Sequence, residues 1–163
     1  MSGELVLATK HFPDLVVEID GGYWLGDIEL DGEQVPVSIF VDSCLQDKIV
    51  LERAAHQLNS LEAMTQTAVS AIRNAATASG SVVSDFLVFH RDEVPEAIPT
   101  NLSAEPLPKL VGALALVGVA VHPVEPNSHQ IVLDFSFGRD LSDAVLAATF
   151  TAKGQLDDIC HES

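Results

Sequence analysis

Hydrophobic and polar positions change period along this chain, and the changes mark its elements. Between residues 24 and 30 the pattern alternates, with Trp24, Gly26, Ile28 and Leu30 on one side and Leu25, Asp27 and Glu29 on the other. Val35, Val37, Ile39 and Val41 resume the alternation after Asp31-Gly32. Period-two patterning is that of a strand with one buried face, and Asp-Gly between two such runs predicts a tight hairpin, because both residues tolerate the positive φ of the turn. Pro36 lacks the N–H of a ladder bond, which predicts that its stretch lies at a sheet edge or beside a bulge. Leu15 to Ile19 reads as a further short strand before a Gly21-Gly22 turn.

After Asp42 the period becomes helical. Leu51, Ala55, Leu58, Leu61, Met64, Ala68, Ile72 and Ala76 follow helical spacing in a run without proline or glycine before Gly80. This predicts a long amphipathic helix over Asp47 to Ala76, with a break near Asn59-Ser60. Val82, Val83, Phe86, Leu87 and His90 keep the helical spacing and predict a second helix from Val82 to Asp92, with a strand through Asp85 to Phe89 as the alternative. The proline-rich stretch EVPEAIPTNLSAEPLP is a surface connection with a short helix from Pro106. Extended character returns at Leu114 and stops at His122-Pro123, and VEPNSH is a turn. Ile131 to Phe137 alternates again, and Ala144 to Thr151 and Leu156 to His161 follow across connections too short for anything but an antiparallel meander. The sum is one α+β domain over residues 1–163: an antiparallel sheet with an N-terminal hairpin and a C-terminal meander, one long helix packed on one face, and one or two shorter helices.

Composition narrows the function. The formal net charge is −16, from 24 Asp and Glu against 8 Lys and Arg. The basic residues are dispersed, so no patch can neutralise phosphates, and nucleic acid is not an expected partner. An acidic field keeps a protein soluble and steers it towards a basic partner. The apolar run LVGALALVGVAV, Leu110 to Val121, is well short of a membrane-spanning helix, and the amino end lacks the basic and apolar regions of a secretory signal. Cys44 and Cys160 form no CxxC motif and read as reduced thiols of a cytoplasmic protein.

No catalytic constellation emerges. GxSxG, HExxH, GxGxxG and GxxxxGK[ST] are missing, and His90-Arg91-Asp92 copies only the start of a kinase catalytic loop, with Ala97 where the metal-binding Asn would stand. The terminal stretch LDDICHES crowds a thiol, an imidazole and carboxylates, yet adjacent strand residues face opposite ways, so Cys160 and His161 cannot act on one atom. Leu156 and Ile159 also differ in parity, which a regular strand cannot bury together. His122, Glu125 and His129 flank one turn and have residue types that suit zinc, without a fourth ligand; histidines beside a turn are more often simply exposed or half-buried. No cofactor is implied. Tyr23, Asp27 and Glu29 on the hairpin form a candidate interaction surface.

The phrases GGYWLGDIELDGEQVPVSIFVD, VGVAVHP and IVLDFSFGRDLSDAVLAATFTAKGQLDDICHES resemble a family of small, acidic bacterial proteins known as a domain of unknown function. The resemblance implies an α+β fold and carries no catalytic residues; some of these small families look similar to toxin-immunity proteins. The expected function is a non-catalytic, intracellular protein-binding module, immunity-like in character. The alternatives are a small-ligand binder or enzyme with a pocket between helix and sheet, using His90 or the His122/His129 turn, and a homo-oligomer joined through the Pro36 hairpin edge or a helix face.

Overall fold

The computed structural model describes residues 4–7, 15–18, 23–40, 48–125 and 128–163. Its strands are β1 (Glu4–Leu7), β2 (Leu15–Glu18), β3 (Tyr23–Leu30), β4 (Glu33–Phe40), β5 (Ala115–Glu125), β6 (Ser128–Ser136), β7 (Val145–Thr151) and β8 (Leu156–Glu162). Between β4 and β5 lie α1 (Lys48–Gln57), α2 (Leu61–Ala75), α3 (Val82–Glu93) and the single turn α4 (Leu107–Leu110). The class is α+β, as the period changes predict.

Strands β3 to β8 form one six-stranded sheet in sequence order, and β1 pairs with β2 in a separate two-stranded sheet. The β3–β4 hairpin closes at Asp31 and Gly32, with φ of 52° and 80°, so both central residues adopt the left-handed backbone that Asp-Gly accommodates. All pairs in the large sheet are antiparallel except β4 with β5, which run parallel from Val37 opposite Val119 to Ile39 opposite Val121. Strand β4 is therefore interior, contrary to the edge position that Pro36 predicts. Proline is tolerated because pairing with β5 begins one residue later, at Val37. Strand β5 also runs beyond His122-Pro123 to Glu125, with a register shift that accommodates the proline.

The predicted long helix is present with its break: α1 and α2 flank a 3-10 turn, Leu58–Ser60. The Val82 segment is a helix rather than a strand. Together the helices cover one face of the sheet. Val37, Ile39, Val121, Ile131, Leu133, Leu146 and Phe150 from the strands meet Leu58, Leu61, Ala68, Ile72, Phe86 and Leu87 from the helices in one fully buried cluster. The parity problem of β8 is solved by a bulge. Thr149 pairs with Asp158 but Phe150 with Leu156, so Asp157 is the extra residue, and Leu156 and Ile159 both pack on the core.

Ser81 holds the junction of α2 and α3. Its Oγ accepts from the Ser84 backbone N–H at 3.0 Å, capping α3, and donates to the Ala75 carbonyl at 2.7 Å. Ser81→Ala is expected to cost about 1 kcal/mol through the lost cap. A urea midpoint unchanged from the parent would show that the cap contributes nothing.

Candidate functional site

Strand alternation that buries one set of side chains places the other set on the face away from the helices. There Pro36, Ser38 and Phe40 of β4, Gly118, Ala120 and His122 of β5, and Val132 and Asp134 of β6 line a pocket of about 390 Å³ with Arg139 and Glu162. Gly118, opposite Asp134 in the ladder, makes the space. A Cβ at Gly118 would stand 3.1 Å from Arg139 Nη2 and 3.5 Å from Asp134 Oδ2, where the guanidinium now reaches across the strand. Glycine inside a strand marks such a close approach, and that was the sequence signal for this site.

Asp134 is the unusual group. Burial pushes its pKa up, the Glu162 carboxylate adds to the rise, and Arg139 opposes it. Arg139 Nη2 stands 3.9 Å from Asp134 Oδ2, an ion pair without the contact of a hydrogen bond, and Asp134 Oδ1 is buried with no hydrogen-bond partner among the described residues. Orphaned polar atoms of this kind are costly, typically about 1–3 kcal/mol, and cluster at functional sites. On the rim, the His122 ring stacks on Phe40, with centroids 4.6 Å apart and planes 6° apart. Burial lowers the His122 pKa, while Glu162 opposes the fall. Phe40 is 41% exposed, an apolar side chain offered to solvent beside the acids.

The terminal stretch behaves as strand geometry dictates. Cys160 shares the pocket side with Glu162, its Sγ 3.7 Å from Glu162 Oε1, and burial with the neighbouring carboxylates pushes its thiol pKa up. That is the reverse of an activated nucleophile. His161 instead meets the edge of Phe86 beneath α3, with centroids 5.3 Å apart.

The metal candidates do not converge. His129 is 2% exposed on the helix side of the sheet, whereas His122 lies on the pocket side, because they occupy strand positions of opposite facing. The side chain of Glu125 lies outside the described residues. Among the described residues no three His, Cys, Asp or Glu side chains approach closely enough to hold a metal. Gln57 Nε2 donates to the Thr151 carbonyl at 3.0 Å, which orients the amide so that Oε1 accepts from His129 Nε2 at 2.5 Å. His90 is likewise a core residue. Its Nδ1 donates to the Phe86 carbonyl at 2.8 Å, leaving Nε2 to accept from the Ser142 hydroxyl at 2.9 Å. Neither histidine reaches the sheet-face pocket.

Of the hairpin candidates, Asp27 and Glu29 are exposed and alternate with the buried Ile28 and Leu30, which puts them on the same face as the pocket. Tyr23 occupies the ladder position opposite Phe40. The sequence therefore marked the border of this face and missed its centre, Asp134 with Arg139, Gly118 and Glu162. No helix of the described residues is long and apolar enough to cross a membrane. Compared with known proteins, the chain matches no family model, no curated protein and no solved structure.

Proposed function

We propose that this protein is a non-catalytic recognition module whose open sheet face receives a cationic segment of a partner protein. The observation that supports it most is Asp134, a half-buried carboxylate beside Glu162 whose Oδ1 lacks a hydrogen-bond partner among the described residues and whose Oδ2 stands 3.9 Å from the Arg139 guanidinium. An arginine or lysine from a partner supplies the missing donor and relieves the repulsion between the two acids. Phe40 offers an apolar anchor next to it, and Asp27, Glu29 and Asp158 extend the same sign of charge along the face. A chain of net charge −16 steers such a partner in, and two copies of it repel, which favours a basic partner over self-association. On this reading the partner is a basic protein, such as a toxin domain neutralised in the cytoplasm.

The test is a nuclear magnetic resonance titration with an arginine- and lysine-rich nonapeptide at fixed ionic strength. Backbone shifts are expected at Gly118, Val132 and Asp134. Asp134→Asn is expected to weaken binding about tenfold, roughly 1.4 kcal/mol, while Asp85→Asn on the exposed side of α3 leaves it unchanged. Equal losses from both variants would reduce the interaction to bulk charge attraction and remove the assigned site. Shifts confined to the helical side would do the same.

A second reading, a small-ligand binder with its pocket between helix and sheet, is favoured by one observation: a groove of about 800 Å³ between α1, α2 and the β7–β8 turn.

A further inference from the structure

We infer that this groove binds a small monocarboxylate with an apolar body, a site independent of the sheet face. Its volume of about 800 Å³ falls in the range of small-molecule sites, roughly 300–1,000 Å³. Its chemistry runs against the rest of the chain. In a protein with three acids for every base, Arg53, His56 and Lys153 line this one groove, and Glu52 is the only carboxylate among the described lining residues. Arg53 and His56 stand three residues apart on α1 and so share a face, while Lys153 approaches from the β7–β8 turn.

The walls are fixed before any ligand arrives. Gln57 bridges them, donating to the Thr151 carbonyl and accepting from the buried His129, so α1 is tied to the end of β7, where the turn that carries Lys153 begins. The turn itself is closed by Gly154 N–H to the Thr151 carbonyl at 2.9 Å and by Thr151 N–H to the Gln155 carbonyl at 2.9 Å, with Gly154 at φ +79°. Such preorganisation lowers the ordering cost of binding. Between the cations, Met64, Ala63 and Ala152 give an apolar lining, and methionine adapts its shape to an aliphatic guest. A carboxylate fits better than a phosphate ester, because it brings one negative charge rather than about two to a groove that Glu52 also lines.

Decanoate, decanol, decylamine and decyl phosphate, each below its micellar concentration, test the assignment on the full chain by calorimetry and amide shifts. Decanoate is expected to bind with shifts at Ala63, Met64 and Gly154, and more tightly than the other three. The double variant R53Q/K153Q should weaken decanoate about tenfold with an unchanged thermal midpoint, since Arg53 and Lys153 are both exposed. Decanol or decylamine binding as tightly as decanoate would overturn the anion site, and decyl phosphate binding more tightly would overturn the carboxylate assignment. Shifts on the pocket face of the sheet, or no binding at all, would overturn the site itself.

Discussion

Phe86→Ala is expected to destabilise the protein by about 3–5 kcal/mol, the range for an aromatic core truncation, and to lower the thermal midpoint by roughly 10 °C for a chain of this size. Phe86 is fully buried on α3. Its ring packs at 4.3 Å from His90, 6.1 Å from Phe137 and 5.3 Å from His161, measured between centroids, so one side chain joins α3 to the ends of β6 and β8. Removing it leaves a cavity that none of these neighbours can fill without leaving its place, because His90 is held at both ring nitrogens. It also exposes that imidazole to water. Natural stabilities are about 5–15 kcal/mol, so the loss is a large share of the whole. A urea midpoint implying less than about 1 kcal/mol would mean that α3 repacks freely and that this contact is not structural.

The second large effect is acid lability beginning near neutrality. Burial lowers the pKa of His90, His122 and His129; for His90 the hydrogen bond to the Phe86 carbonyl opposes the fall in part, and for His129 the neighbouring Arg53 charge adds to it. For His122, Glu162 opposes the fall. In the unfolded chain each imidazole takes up a proton as the pH falls through about 6.5, whereas in the folded protein it stays neutral until lower pH. The unfolded state then binds more protons, and folding stability declines below about pH 6.5, by at most about 1.4 kcal/mol per pH unit for each histidine. Asp134 has the opposite sign. Its raised pKa means that the folded state holds a proton that the unfolded state has released, so protonation relieves strain above the unfolded value of 3.8.

Acid also relieves the repulsion of a chain at −16 and so works against the histidines. Salt separates the two contributions, because exposed charges are screened at high ionic strength and buried imidazoles far less. Urea midpoints at about 0.5 M salt are expected to fall between pH 7.5 and 5.5. A flat or rising midpoint there would show that the histidines titrate alike in both states.

Much of this architecture was written locally. Asp31-Gly32 between alternating runs specified the hairpin because the turn needs positive φ at two successive residues, and the helical spacing of Leu58, Leu61, Met64 and Ala68 needed only one apolar side to be met. What escaped was non-local. Nothing near Val37 announces that Val119 will lie beside it in parallel, since that pairing depends on how the helices α1 to α4 bridge the two strands. The bulge at Asp157 was visible only as a contradiction, the clashing parities of Leu156 and Ile159. The site escaped for the same reason. Asp134 looks like any outward residue of an alternating strand until register sets Gly118 beside it and the loop after β6 brings Arg139 over the gap.

The parallel pairing of β4 with β5 also governs the order in which the chain can assemble during synthesis. The β3–β4 hairpin leaves the ribosome early, but the strand that covers its inner edge arrives only after the whole helical region, several seconds later at about 5–20 residues per second. Until then the backbone edge of β4 that meets β5 from Val37 to Ile39 lacks its ladder partner. The meander from β5 to β8, by contrast, is built from neighbours in sequence and closes without waiting. The nascent hairpin thus waits longer than any strand of the meander for its second neighbour, which leaves its inner edge open to mispairing in the interval.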